Sequence, residues 1–242
     1  MKKYFFIFIV ILMILGLTYS LGEKIILTLV GGDMYVPIMR VKTEENKLAF
    51  TFNVLREDDL GELLNLLKQY NIKSTIFLTE NMILDNSLVE MILLEGHQIG
   101  LLAFNNRNIE SMTPNQIIEE LKNISQTFQG IGGERIEIVR TLEYKGTVSA
   151  ACKTLGIKYI LWDVDSKDVK EVGVNDIVER INYHVKGGSI VVFNTSYKYT
   201  FPAIRMLLES SLIDEYQIVS LKELLYHDNY YINSFGEQVR KR

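Results

Sequence analysis

The sequence predicts an α/β protein, a (β/α) barrel of about seven units. From Lys47 onward, short apolar runs alternate with amphipathic segments, and no glycine-rich phosphate loop interrupts them. That pattern indicates a barrel rather than a dinucleotide-binding sheet. The run Lys47-Leu48-Ala49-Phe50-Thr51-Phe52 ends at Asn53-Val54, and the acidic Glu57, Asp58 and Asp59 follow. It reads as a buried parallel strand opening into a loop and then a helix. Chemistry in such folds sits at that end of the strand. Here the position holds an amide and a hydrocarbon, and neither is a general base at neutral pH.

Taken in order, residues 1–22 form a membrane anchor or signal segment and residues 23–46 a connecting stretch. Residues 47–227 form the barrel, and 228–242 a polar, loosely held tail. The strand at 48–52 leads into a helix at 58–70, with Leu60, Leu63, Leu64 and Leu67 on one face. Acidic residues open that helix and Lys68 lies near its end, as the helix dipole favours. A strand at 74–78, a helix near 87–94 stopped by Gly96, and a strand at 98–103 come next. Thr113-Pro114-Asn115-Gln116 reads as a capping box with proline at the first helical position. Strands at 136–140 and 158–163 flank a helix at 147–155, and Asn175 can cap a helix whose inner face carries Ile177, Val178, Ile181 and Val185. A strand at 189–193, a helix at 202–210 and a last strand and helix at 217–225 complete the series. Phe50, Phe52, Ile76, Ile99, Ile138, Leu161 and Val191, each within a predicted strand, are expected in the barrel centre.

Composition narrows the function classes. A net charge of -4 gives no electrostatic ground for a nucleic-acid partner. The single cysteine, Cys152, excludes an intrachain disulfide and a cysteine zinc cluster, and its small-residue helical surroundings predict an inert packed thiol. Lys2 and Lys3 precede an uncharged run at residues 4–22. Its length of just under ~30 Å as a helix would cross a bilayer, with the remainder outside. No Ala-x-Ala-like cleavage site follows, so an uncleaved anchor in the cytoplasmic membrane is preferred to secretion after cleavage.

With the strands placed, the sequence resembles the polysaccharide deacetylase (NodB-homology) family, closest to its membrane-anchored sporulation branch. The resemblance rests on Val36-Pro37-Ile38, Lys47 to Phe52, Lys73-Ser74-Thr75-Ile76-Phe77-Leu78 and Glu95-Gly96-His97-Gln98-Ile99-Gly100. Leu155-Gly156, Trp162 to Asp168 and Gly188-Ser189-Ile190-Val191-Val192-Phe193 add to it. It implies metal-assisted hydrolysis of N-acetyl groups on sugars, with a divalent ion, usually zinc, held by one aspartate and two histidines. The ion lowers the pKa of a bound water to about 7, an aspartate takes its proton, and a histidine protonates the leaving amine.

The motifs depart from that pattern where the chemistry lies. Thr-Phe-Asp-Asp is here Thr51-Phe52-Asn53-Val54, so the base is an amide and a metal ligand is lost. The two ligand histidines correspond to Leu102 and Asn106. Arg140 is kept, but Thr141-Leu142-Glu143 and Tyr144 stand where Pro-Pro-Tyr belongs. Asp168 is kept, with Val169 in place of a groove tryptophan, and the acid histidine is Asn194. The chain has only three histidines, His97, His184 and His227, and none is placed to substitute. No metal is therefore expected, and the chain reads as an inactive member acting at the cell envelope, in sporulation if the branch is a guide. It would bind wall glycan or an envelope protein.

Other readings compete. Arg140 and Asp168 are the family's supporting pair, and with their clients gone they are candidates to contact each other. Tyr144, Tyr197 and Tyr199 are candidates for stacking on sugar rings. His97 is expected to satisfy backbone groups at a helix-to-strand turn. Asp163 and Asp165, two apart on a predicted strand, with Glu143 could form a carboxylate pair for glycoside hydrolysis; a strand-end and cap role is the plainer reading. An active deacetylase with an unrecognised metal site is the alternative function.

Overall fold

The computed structural model describes residues 35–104 and 109–241. The apolar run at 4–22, the apolar stretch and turn at 25–33, and Asn106 lie outside the described residues. In chain order the strands are β1 (Arg40–Val41), β2 (Lys47–Val54), β3 (Thr75–Thr79), β4 (Gln98–Leu102), β5 (Ile138–Arg140) and β6 (Lys158–Tyr159). They continue with β7 (Val164–Asp165), β8 (Ile190–Asn194), β9 (Gln217–Ile218), β10 (Tyr230–Ile232) and β11 (Glu237–Arg240). The helices are α1 (Asp58–Gln69), α2 (Glu80–Ile83), α3 (Asn86–Leu94), α4 (Pro114–Gly130) and α5 (Gly146–Leu155). After them come α6 (Val174–His184), α7 (Thr200–Leu208), α8 (Leu212–Glu215) and α9 (Leu221–Leu224).

The main sheet is parallel and curled, in the order β6-β5-β4-β3-β2-β8-β7, with β9 paired to the start of β2. Helices cover its outer face. Leu60, Leu63, Leu64 and Leu67 of α1 are buried as their spacing predicts. In α4 the Thr113 hydroxyl accepts from the Gln116 backbone N–H while the Gln116 side chain accepts from the Thr113 N–H, the reciprocal capping box read from sequence. The α6 cap differs from expectation. Gly173, at φ 110, precedes the helix, and Asn175 falls inside its first turn.

Strand alternation divides the core. Leu48, Phe50, Phe52, Ile76 and Val191 belong to the large cluster shared with the helices. Ala49, Phe77, Leu102, Ile138, Ile160 and Ile190 form a separate cluster inside the curl. Of the residues expected at the barrel centre, only Ile138 lies there. Phe50, Phe52, Ile76, Leu161 and Val191 are buried against the helical layer, and Ile99 is partly buried against it. Burial was legible in the sequence, but the face was not, because both faces of a central parallel strand are apolar.

The amino-terminal end of the barrel is sealed. Val219, Leu221, Leu224 and Leu225 join the inner cluster from below, and the Leu221 N–H donates to Thr75 Oγ1 at 2.8 Å. The stretch at 38–41, expected to be a connector, crosses this floor. Ile38 bridges to Ile160 and Arg40 to Ser189, and β1 pairs with β11. The tail is not loose either: β10 and β11 form an antiparallel hairpin, and Gln238 is fully buried. Its side chain exchanges hydrogen bonds with both backbone groups of Tyr226, which fixes the hairpin to the chain after α9. Residues from Tyr35 onward thus form one compact unit.

A single strand was expected at 158–163, but the ladder stops at Tyr159 and resumes at Val164. Between them the carbonyls of Ile160 and Leu161 turn inward and accept from Arg140 Nε and Nη2 at 3.4 and 3.2 Å. A buried guanidinium thus takes acceptors that a continued strand would present to its neighbour.

Candidate functional site

The site is built on the inner face at the carboxyl ends of β2, β5 and β8. Asn53 and Asn194 are register partners in β2 and β8, so their side chains stand one strand apart on the same face. Asn53 Nδ2 donates to Asn194 Oδ1 at 3.0 Å. Arg140 Nη1 donates to Asn53 Oδ1 at 3.2 Å, and Asn194 Nδ2 donates to Asp168 Oδ1 at 2.9 Å. Four side chains thus form one directed row, from guanidinium through two amides to carboxylate. Asn53, Arg140 and Asp168 are 1% exposed or less and Asn194 is 7% exposed, so the row is almost wholly shielded from water.

Each end of the row is held independently. The Arg140 guanidinium also donates to Thr51 Oγ1 at 2.8 Å and lies 3.9 Å above the Phe77 ring, with Trp162 at 5.5 Å. Phe77 can lie there because β4 offers Gly100 beside it, where a Cβ would come within 2.5 Å of the ring. Burial pulls the Arg140 pKa down from its ordinary value. The oxygen acceptors and π faces around it favour the cation, and a guanidinium keeps its proton in proteins. Asp168 accepts from the Asn194 N–H at 2.6 Å, the Val169 N–H at 2.9 Å and Thr200 Oγ1 at 3.1 Å. Burial pushes its pKa up, and the hydrogen bonds from Asn194, with Ser166 and Thr200, work against that rise. Its turn is flanked by Lys167 at φ 61 and Glu171 at φ 49, a left-handed geometry that non-glycine residues adopt only when surroundings impose it.

The candidate contact between Arg140 and Asp168 is therefore not made. The two asparagines stand between them, and each charge is satisfied by nearer partners.

The family's metal does not fit the residues present. Val54 packs into the outer cluster and Leu102 into the inner one, both fully buried, so these two positions offer hydrocarbon on opposite faces. Zinc needs imidazole, thiolate or carboxylate donors. Among the described residues no three His, Cys, Asp or Glu side chains gather to hold an ion.

Tyr144, after β5, and Tyr197 and Tyr199, after β8, all stand on loops at the carboxyl end of the barrel. Tyr144 is 42% exposed, while Tyr197 and Tyr199 are half-buried, with Lys198 Nζ 5.0 Å above the Tyr199 ring. Val169 is exposed beside Asp168. The carboxylate pair for glycoside hydrolysis is not assembled. Asp163 accepts from Ser189 Oγ and the Ile190 N–H at the start of β8, at the sealed floor. Glu143 lies on an exposed loop at the other end, paired with Lys145, and Asp165 is taken by Lys167. Parallel strands separate these carboxylates, and the break before β7 removes the shared strand that aligned Asp163 with Asp165. His97 lies at the floor too, where its Nδ1 accepts from the Ser74 N–H at 3.2 Å, a backbone group as expected.

Sequence reasoning passed over Asp59 beyond its place in an acidic helix start. Its carboxylate accepts from Arg56, Thr195 and Ser196 and ties the first turn of α1 to the loop after β8. Burial opposes its ionisation, but Arg56, Ser196 and Thr195 outweigh burial and hold its pKa below the usual value. Nothing local could have revealed a contact across more than a hundred residues.

A barrel of this order, with its row of polar groups at the strand ends, is the frame of a carbohydrate deacetylase. The family model described as polysaccharide deacetylase matches residues 40–160, half of the chain, and the chain belongs to that family. The peptidoglycan-N-acetylglucosamine deacetylase PgdA of Listeria monocytogenes is 23% identical over 164 residues, covering 67% of this chain and 35% of that protein. A bifunctional xylanase/xylan deacetylase of Cellvibrio japonicus is 24% identical over 163 residues, 66% of this chain and 25% of its own. The chain thus spans about a third or less of these curated relatives. Among solved structures, a CE4-family pseudoenzyme from Bacillus anthracis superposes with a TM-score of 0.69 at 19% identity, covering 78% of this chain and 68% of that one. A mutant of that pseudoenzyme has restored enzymatic activity. A family 4 carbohydrate esterase from Streptomyces lividans, in complex with acetate, gives 0.64 at 20% identity, over 72% and 91% of the two chains.

Proposed function

We propose that this protein is a catalytically inactive polysaccharide deacetylase that binds wall glycan outside the cytoplasmic membrane, held there by residues 4–22. The observation that carries the reading is the row Arg140–Asn53–Asn194–Asp168. At the positions where the family keeps its base and its acid, this chain has two amides hydrogen-bonded to each other. An amide neither takes a proton from water nor gives one to a leaving amine at neutral pH. The retained arginine and aspartate now act as end-posts of a rigid mouth. Glycan is the favoured ligand because relatives of this fold are named for peptidoglycan and xylan, and because Tyr144, Tyr197 and Tyr199 offer rings at the open end of the barrel. The sporulation setting rests on the branch resemblance alone.

The test combines metal analysis, acetate release and glycan binding on the purified protein. Peptidoglycan should retain the wild type and release it on Tyr144→Ala with Tyr199→Ala. No acetate should appear from peptidoglycan or chitooligosaccharide, with or without added zinc. Leu102→His should leave activity undetectable, since base, acid and the other two ligands, at Val54 and Asn106, are still absent. Stoichiometric zinc, or metal-dependent acetate release lost on Asp168→Ala, would overturn the reading.

A further inference from the structure

The β10–β11 hairpin has a feature that the barrel mouth does not explain. Its turn presents Phe235 at 78% exposure, and its outer face presents Tyr231 at 50%, beside the half-buried Val239. Together these side chains offer apolar surface whose burial against another surface would be favourable. The Phe235 end of the hairpin is fixed to the first described residues of the chain. The Met39 N–H donates to the Gly236 carbonyl at 2.8 Å, and a Cβ on Gly236 would come within 2.8 Å of the Pro37 carbonyl. The acidic group on the hairpin is neutralised, since Glu237 is held by Arg40 Nη1 at 3.0 Å and by Asn233. Arg240 ends β11 on the face opposite Tyr231, with its guanidinium 5.1 Å from the Tyr226 ring, the exposed Lys241 follows it, and Asp228 and His227 lie on the chain leading into β10. Between the last residue of the apolar run, Gly22, and Tyr35 there are only 12 residues, which reach about 40 Å at full extension.

We propose that this hairpin is a lipid-surface contact, in which Phe235 and Tyr231 enter the headgroup region of an anionic bilayer. The proposal rests on the reading of residues 4–22 as a membrane anchor. Aromatic rings favour that boundary, and the Lys241 ammonium is drawn to anionic headgroups. A short tether raises the local concentration of the surface enough for a weak contact to be occupied. The contact would turn the sealed floor and Pro37 toward the membrane and leave the tyrosine-bearing mouth facing the wall.

The full chain is tested in vesicles of phosphatidylglycerol and phosphatidylethanolamine, with a polarity-sensitive dye on Ser234→Cys, next to an intact Phe235. Cys152 is buried, with its thiol pushed up to about 12, and does not compete for the label. A dye on Ser87→Cys, at the start of α3, is the control. The expected result is a blue shift and loss of iodide quenching at position 234 but not at 87, both abolished by Phe235→Ser with Tyr231→Ser. Equal quenching at the two positions in membrane-retained protein would overturn the hairpin contact and leave the anchor standing. Recovery of the chain from the aqueous phase would overturn the anchor and the contact together. Shielding that appears without lipid, or only with added peptidoglycan, would assign the patch to a second copy or to glycan and overturn the proposal.

Discussion

Replacing Arg140 by methionine removes the cation at the head of the buried row while keeping an unbranched side chain over Phe77. Asn53 Oδ1 and the carbonyls of Ile160 and Leu161 then lose the charged donor that the structure gives each of them. A buried acceptor left without a partner costs about 1–3 kcal/mol. Methionine packing on Phe77 returns part of that, so the net loss is expected at ~3–5 kcal/mol, the range for breaking a buried charged network from one side. Against a total stability of about 5–15 kcal/mol this is large. Urea denaturation is the assay, with the midpoint expected to fall by about 1.5–2.5 M at an m-value of ~2 kcal/mol/M. Arg140→Lys keeps the charge but not the planar fork, and should fall between the two. A midpoint shift under about 0.5 M for the methionine variant, with the m-value unchanged, would refute the view that this guanidinium organises the barrel interior.

Two further outcomes test the floor of the barrel. His97 is buried, its Nε2 has no hydrogen-bond partner among the described residues, and burial, with Lys73 nearby, lowers its pKa from 6.5 to about 4. The unfolded chain therefore binds a proton before the folded one does, so this contribution is whole above pH 6.5 and is lost as pH falls toward 4. The loss should reach about 3 kcal/mol, and His97→Gln should remove that share of the acid sensitivity measured by denaturation across the range. Gly188 sits at φ +81, and a Cβ there would lie 1.8 Å from the Val41 carbonyl oxygen. Gly188→Ala should displace β1 and with it the β10–β11 hairpin, at a cost of roughly 3 kcal/mol or more. Hydrogen exchange at the Val41 amide, bonded to the Gly188 carbonyl at 2.9 Å, should accelerate; protection at the wild-type level would show that the crossing tolerates a side chain.

The order of strands and helices, the capping box of α4 and the buried face of α1 were legible in the sequence, because periodicity and end signals are local. The departures from the family's motifs were legible too. Asn53, Val54, Leu102 and Asn194 stand at the positions that the resemblance gives to a base, two metal ligands and an acid. What those residues do instead was decided by register. Only the pairing of β2 with β8 sets Asn53 against Asn194, and only the inward turn of Ile160 and Leu161 gives Arg140 acceptors other than Asp168. The same holds at the floor, where a connector and a polar tail became β1 and the β10–β11 hairpin through partners about 200 residues apart along the chain. Residue types fix which proton donors, acceptors and ligands a position can offer, since acidity and donor chemistry belong to the side chain. Which hydrogen bonds those side chains make depends on which faces and strand ends meet, and the tertiary structure alone sets that.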